Sequence, residues 1–589
     1  MKFELKYFVI LRGPNHNIFF TTNYNGSCSD KGKLELRRSC DYGRSFRTVA
    51  SRVYSFVLGG RFLFASIMTG SGTERTIHVS VDGGELWNSA QLPTVNHEQF
   101  YSILSANQEL VFMHVDDPGD SGVGTVYVSD DRGTVFSRSL ERHLYATTGS
   151  DTDFTVVSSL RGVFMTSVLT EDGAVQTVIT FNQGARWQTL RGPETCDPEA
   201  SANRAHRCRL HIHSTYSTSL KLNVPMLPLS QANAVGLIIA HGTIGEGESV
   251  LTPDVYVSDD GGYSWFLALK GPHHYAILDS GGLIVAVEHT NSPVHLIKYS
   301  VDEGQCWRSY NFTSEPFHFS GLDSEPGSRS MNLSLWGYRS DYSRWVVITI
   351  DLQKVLHRDC AEEDFVQWLS HLGPSASGPL GPSDGCVLGF METFLRLRKG
   401  AVCYKGKDFK SETDVAPCLC TADDYHCDFG FYRPENSSEC EEQEELKGRA
   451  LHFCLNGSTE QLQSSGYRKI PGDRCVGGFQ PVRKETDLRR KCLSDAQTPS
   501  ATPVSNSTST ALIVLVVIAI LLSSAVAGVW LVKKYICGGR FLVHRYSEMR
   551  DNVEANQIEG VDDVDDVDTN YLETGKARYN ENSDQDLLV

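Results

Sequence analysis

The strongest partner-binding chemistry lies at the C-terminal end of the chain. Asp584-Gln585-Asp586-Leu587-Leu588 places a carboxylate three residues ahead of two adjacent leucines. Such a peptide asks its reader for one cationic pocket and one apolar pocket. Ser583, just before Asp584 and Asp586, is a candidate for phosphorylation, which would add further negative charge. Tyr546-Ser547-Glu548-Met549 fits Y-x-x-Φ, in which an extended segment puts Tyr546 and Met549 into separate pockets. Phe541-Leu542-Val543 is a short apolar triplet between these signals and a preceding hydrophobic run, and Cys537 in that stretch is a candidate for palmitoylation.

These signals act only if the tail faces coat proteins, and one segment sets that topology. Ala511 to Val532 is an uncharged run of 22 residues. At about 1.5 Å per residue it spans roughly 33 Å, enough for a hydrocarbon core of about 30 Å. Lys533, Lys534, Arg540 and Arg545 follow it, so the positive-inside rule predicts a single-pass type I protein with a cytoplasmic C-terminus. N-x-[ST] acceptors at Asn25, Asn311, Asn332, Asn436, Asn456 and Asn506 all precede the run. Fifteen of sixteen cysteines precede it too, as expected for an oxidising lumen. The net charge of -18 excludes nucleic acid as the main partner. The opening residues MKFELKYFVILRG lack the apolar core and cleavage site of a signal peptide, so the start of the protein is expected upstream.

Six segments repeat S/T-x-D-x-G-x-x-W/F after an apolar strand: Ser39–Phe46, Ser80–Trp87, Ser129–Phe136, Thr180–Trp187, Ser258–Trp265 and Ser300–Trp307. Most are roughly 40 to 50 residues apart, the period of a four-stranded propeller blade. Asp accepts turn amides, Gly supplies positive φ and the aromatic packs between blades, so the carboxylates read as turn residues rather than catalytic groups. Asn182 replaces the Asp in the fourth copy. The long interval after it, with Cys196 and Cys208, predicts an inserted loop. Ten cysteines between Cys360 and Cys492 are irregularly spaced, and Cys418-Leu-Cys420 is tighter than a zinc knuckle. They predict a disulfide framework and no metal or other cofactor, with the pairing left open by spacing alone.

The repeat resembles the Asp-box of sialidases and of the sortilin family. Together with the ten-cysteine module, the single membrane helix, CGGRFLVHRYS and the closing SDQDLLV, it identifies the chain as similar to the sortilin (Vps10p-domain) family of sorting receptors. The resemblance covers essentially the whole chain, with LHIHSTYS, SDDGGYSW and GYRKIPGD among its segments. It implies an all-β class: an incomplete Asp-box propeller over residues 1–355, with about seven of the family's ten blades. A disulfide-rich module at 356–492, a Ser/Thr/Pro stalk at 493–510, the transmembrane helix at 511–532 and a disordered cytoplasmic tail at 533–589 complete the expectation. An arc short of blades would leave strands unpaired at the gap.

The resemblance implies the pairs Cys196–Cys208, Cys360–Cys403, Cys386–Cys418, Cys420–Cys475, Cys427–Cys440 and Cys454–Cys492. Cys28, Cys40 and Cys306 are left unpaired. It also implies capture of secreted protein and peptide cargo, of the neurotensin, proneurotrophin or lysosomal-protein kind. Transport would run between Golgi, cell surface, endosome and lysosome. Asp584, Leu587 and Leu588 resemble the signal read by monomeric Golgi adaptors, Tyr546 and Met549 one read by clathrin adaptors, and Phe541, Leu542 and Val543 one read by retromer. Ser292 stands where the family has a carboxylate-binding arginine, with Lys298 or Arg339 as candidates to compensate. His273 and His274 are candidates for acid-triggered release, and homodimerisation at acid pH is a further expectation. Two other classes use the same features: a membrane-anchored sialidase-like hydrolase and a signalling co-receptor. The first lacks a recognisable arginine cluster and tyrosine nucleophile.

Overall fold

The structure is a computed structural model. It describes residues 11–487, apart from 13–16, 23–32, 69–74, 93–100, 118–121, 146–151, 194–207, 249–251, 325–330, 340–343, 357, 373–384, 412, 435–436, 438, 445–451 and 456–457. Among the described residues the chain is all-β, every ladder between named strands being antiparallel, with one short α-helix at Thr215–Ser219. The sequence cause is plain in strands such as Val111–Asp116 (VFMHVD) and Leu283–Glu288 (LIVAVE): β-branched and apolar runs, buried along nearly their whole length, broken by Gly- and Asp-rich turns.

In the meander sheets the main strands follow chain order, as short turns demand. The first sheet runs from Leu11–Arg12 through Arg47–Gly59 to Asn88–Ser89, and the second from Tyr101–Ala106 to Gln188–Thr189. Arg209–Ile212, Ile238–Gly245, Asp254–Ser258 and Phe266–Leu269 follow as a meander that Leu229–Ser230 joins at its side. Next come the four strands His273–Leu278, Leu283–Glu288, Leu296–Ser300 and Arg308–Asn311. A three-stranded sheet of His318–Ser324, Asn332–Tyr338 and Trp345–Asp351 ends the series.

The core lies between successive sheets. Ile179 and Phe181 of one pack with Ile238 and Trp265 of the next. Ile239 and Val257 then pack with Ile277 and Ile284, and Leu278 and Val285 with Leu333 and Leu335. Residues Met1–Ala496 make one compact unit, so the meanders and the cysteine-rich part share it; the second unit, Gln497–Val589, lies outside the described residues.

In the cysteine-rich part, Phe365–Leu369, Cys386–Val387, Phe390–Leu397 and Thr413–Pro417 form a small sheet. Four disulfides have both cysteines among the described residues: Cys360–Cys403, Cys386–Cys418, Cys420–Cys475 and Cys427–Cys440. Cys208 is disulfide-bonded, while Cys196 and Cys492 lie outside the described residues. Cys40 and Cys306 are free and exposed. Among the described residues no helix is long and apolar enough to cross a membrane; residues 511–532 lie outside them.

Candidate functional site

The repeated turns show what their carboxylates do. In the second, the Ser80 hydroxyl donates to Asp82 Oδ1 at 2.7 Å and receives the Gly84 amide at 2.8 Å, while Oδ1 also takes the Leu86 amide at 3.0 Å. The first, fifth and sixth copies repeat this with Ser39/Asp41, Ser258/Asp260 and Ser300/Asp302. Asn182 keeps the acceptor role in the fourth, taking the Arg186 amide at 3.0 Å. Hydrogen bonds from the Ser45 hydroxyl and amide hold Asp41 at about 2. These groups are committed to their turns and not poised for proton transfer.

The glycine is sterically required. At Gly262, φ is +104° and an added Cβ would lie 2.5 Å from Ile179 Cδ1. Trp265 at the end of that turn is buried in the core between two sheets. The third copy departs from the spacing. Its acceptor is Asp130, not the Asp131 that the motif register selects, and Asp130 Oδ1 takes the Thr134 and Val135 amides at 2.8 and 3.0 Å. Ser129 here donates its hydroxyl to the Asp130 carbonyl at 2.8 Å rather than to a carboxylate, and the earlier Asp meets the donors that Asp82 meets in the second copy.

The cysteine-rich part reaches onto these turns with cations. Arg468, 5% exposed, donates to the carbonyls of Val135, Val128 and Ser129 at 2.9, 3.3 and 3.2 Å around the third turn. Arg433 donates to the Ala185 carbonyl in the fourth, and Asn182 of that turn donates to the Asp423 carbonyl at 3.1 Å. Arg396 bridges the fifth and sixth, meeting the Asp259 carbonyl at 2.7 Å and Glu303 at 2.6 Å, and Lys399 pairs with Asp259. Lys405 donates through its amide to buried Asp279 at 2.9 Å and through Nζ to the Ser280 carbonyl at 3.0 Å. Four successive turns are thereby tied to one module, which stiffens their mutual geometry.

Two buried polar groups stand apart from this interface. His213 Nδ1 lies 3.3 Å from Glu248 Oε1 and its Nε2 3.0 Å from Thr243 Oγ1. The Ser217 hydroxyl donates to Glu248. Burial pushes Glu248 up to about 7 and His213 down to about 4, so His213 is neutral at physiological pH and Glu248 keeps its proton up to near-neutral pH, which leaves no ion pair between them. Residues at metal-ligand distance form two clusters among the described residues, Cys360/Asp364/Cys403 and Asp424/Asp473/Cys475. In both, the sulfurs belong to disulfides and are not thiolate ligands.

The residues singled out by sequence fall in different places. Ser292 is exposed in a short loop, its amide donating to Thr290 Oγ1 at 3.1 Å. Lys298 does not serve that loop: its ammonium donates to His273 Nε2 at 2.9 Å. Arg339 pairs with Glu315. His273 is fully buried, and burial lowers its pKa, whereas His274 and its neighbour His289 meet at 3.1 Å. Asn311 is exposed and Asn332 half-buried. Asn25, Asn436, Asn506, the adaptor and retromer motifs from Phe541 to Leu588, and Cys537 lie outside the described residues, as do Asn456 and Ser583. The basic docking residues Arg396, Arg433 and Arg468 were missed, and no motif marks them, since their partners, mostly backbone carbonyls, are far away in sequence.

Serial antiparallel meanders bound by Asp-type turns and braced by a disulfide-rich module define an all-β protein of the repeated-blade class. Residues 4–322 match the family described as "Sortilin, neurotensin receptor 3," and residues 324–492 its C-terminal counterpart. The chain is 60% identical over 579 residues to zebrafish (Danio rerio) sortilin, covering 98% of this chain and 70% of that protein. It is 54% identical to mouse (Mus musculus) sortilin, with 98% and 68% covered. Human sortilin-related receptor is 31% identical, over 78% of this chain and 22% of that protein. The chain belongs to the sortilin family, a family of sorting receptors and not of enzymes. Among solved structures, the β-propeller domain of the trilobed protease from Pyrococcus furiosus covers 59% of this chain and 96% of its own, at 9% identity and a TM-score of 0.26. That score is too low to bear on function.

Proposed function

We propose that this chain is a single-pass type I sorting receptor that captures secreted protein or peptide cargo in the lumen and hands it to coats through its tail. The observation that carries the reading is relatedness to sortilin over 98% of the chain. The meanders act as blades of a partial propeller over residues 1–355 and present cargo. The module at 356–492 braces them, the stalk at 493–510 spaces them from the membrane, and the helix at 511–532 anchors them. Asp584, Leu587 and Leu588 recruit monomeric Golgi adaptors, Tyr546 and Met549 recruit clathrin adaptors, and Phe541, Leu542 and Val543 return the receptor through retromer. Golgi, endosome, lysosome and cell surface are then its stations. With Ser292 in place of a guanidinium, peptides held only by a terminal carboxylate bind weakly, and larger proneurotrophin-like ligands are less affected.

Replacing Tyr546, Leu587 and Leu588 by alanine tests the assignment. A sorting receptor accumulates at the cell surface and loses cargo uptake. An unchanged distribution would remove the tail signals from the account.

A further inference from the structure

His274 and His289 form a pair that lies outside the repeated turns. His274 is the second residue of His273–Leu278, and His289 follows directly on Leu283–Glu288, its amide donating to the Pro272 carbonyl at 2.9 Å. The register pairs His273 with Glu288 and His274 with Val287. Side chains alternate along a strand, so His274 and His289 share one face of this hairpin, diagonally across the ladder. On that face His274 Nε2 lies 3.1 Å from His289 Nδ1, with ring centroids 5.2 Å apart.

The edge of Phe319 fixes the His274 ring from the adjoining sheet, with centroids 4.9 Å apart and planes at 80°. His273 faces the other way, where Lys298 occupies its Nε2, and it takes no part.

Two imidazole nitrogens bound to one ion at about 2.0–2.1 Å stand roughly 2.9–3.4 Å apart for angles between square and tetrahedral. The observed separation falls within that range. A hydrogen bond between two neutral rings gives a similar distance; an ion entering there takes the lone pair of each facing nitrogen, and the donor ring's proton passes to that ring's other nitrogen by tautomer exchange. His289 is exposed and His274 half-buried, which leaves an entry path from solvent.

We propose that His274 and His289 bind a divalent transition-metal ion of the imidazole-preferring kind, such as Zn2+, beside the loop that carries Ser292. Two protein ligands leave at least two positions of a tetrahedral ion for water or an anionic group, so the site is open and its affinity modest.

The test is isothermal titration of the detergent-solubilised full chain with zinc chloride, beside His289→Gln and His274→Gln. The expected result is loss of one zinc equivalent in each variant, or binding at that equivalent weakened about tenfold or more. The difference from the parent chain separates this site from other histidines and thiols. His274 is packed on Phe319, so a folding defect in His274→Gln is handled by a second measurement on the unmodified chain. Saturating zinc should slow diethylpyrocarbonate modification of His274 and His289, read by mass spectrometry. The proposal is overturned if His289→Gln keeps every zinc equivalent of the parent chain, or if zinc leaves both modification rates unchanged.

Discussion

Replacing Arg468 by methionine keeps the aliphatic packing of a 5% exposed side chain and removes its guanidinium. Three carbonyls, of Val128, Ser129 and Val135, then lose a charged donor. Hydrogen bonds to charged groups contribute about 1.5–3 kcal/mol each. The three here do not add, because they come from one side chain and the Val135 carbonyl also receives the Asp130 amide. A net loss of about 3 kcal/mol is expected. The loss should be local to the third turn, since the fourth to sixth turns keep Arg433 and Arg396. Amide hydrogen exchange across residues 123–136 is the suitable assay, because a protein of several sheets need not unfold in one step. Protection there should fall about a hundredfold, with the far strands Leu296–Ser300 little changed. Arg468→Lys, which keeps the charge but not the fork, should lose about half as much free energy. Unchanged protection in Arg468→Met would refute the idea that the module's cations hold the turns.

Four further outcomes are expected. Glu248 titrates near 7 in the folded chain and near 4.5 when unfolded, so the native state holds the extra proton between those values and stability falls as pH rises through that window. From pH 5.5 to 7.5 the loss from this group is about 2 kcal/mol, and Glu248→Gln should flatten that slope in urea melts at the two pH values. Gly262→Ala forces a Cβ onto Ile179 at positive φ and should cost about 2 kcal/mol or more in the same melts. Ser292→Arg should tighten a peptide with a free C-terminal carboxylate in surface-plasmon measurements, and an amidated peptide should gain nothing. Native-state alkylation should label the exposed thiols Cys40 and Cys306 before the eight cysteines of the four disulfides, which react only after reduction.

The sequence carried the all-β class because turn chemistry and strand composition are local properties. Ser80, Asp82 and Gly84 announce their turn by residue type, and the structure uses them as that chemistry requires. The third turn shows the limit: Asp130 and Asp131 are both suitable acceptors by residue type, and the turn's backbone path selects Asp130. Docking by Arg396, Arg433 and Arg468 was hidden for a different reason. A carbonyl partner leaves no trace in residue identity, and these contacts span well over a hundred positions. Lys298 looked available to replace a missing guanidinium near Ser292 but is turned toward His273. Side-chain direction on a strand follows register, which a single sequence does not disclose.

Protease treatment of sealed microsomes containing the full chain tests the receptor account most directly. An epitope at Asp584–Val589 should be removed while the glycosylated lumenal part stays protected. Survival of that epitope until detergent is added would place the adaptor signals in the lumen and contradict the account.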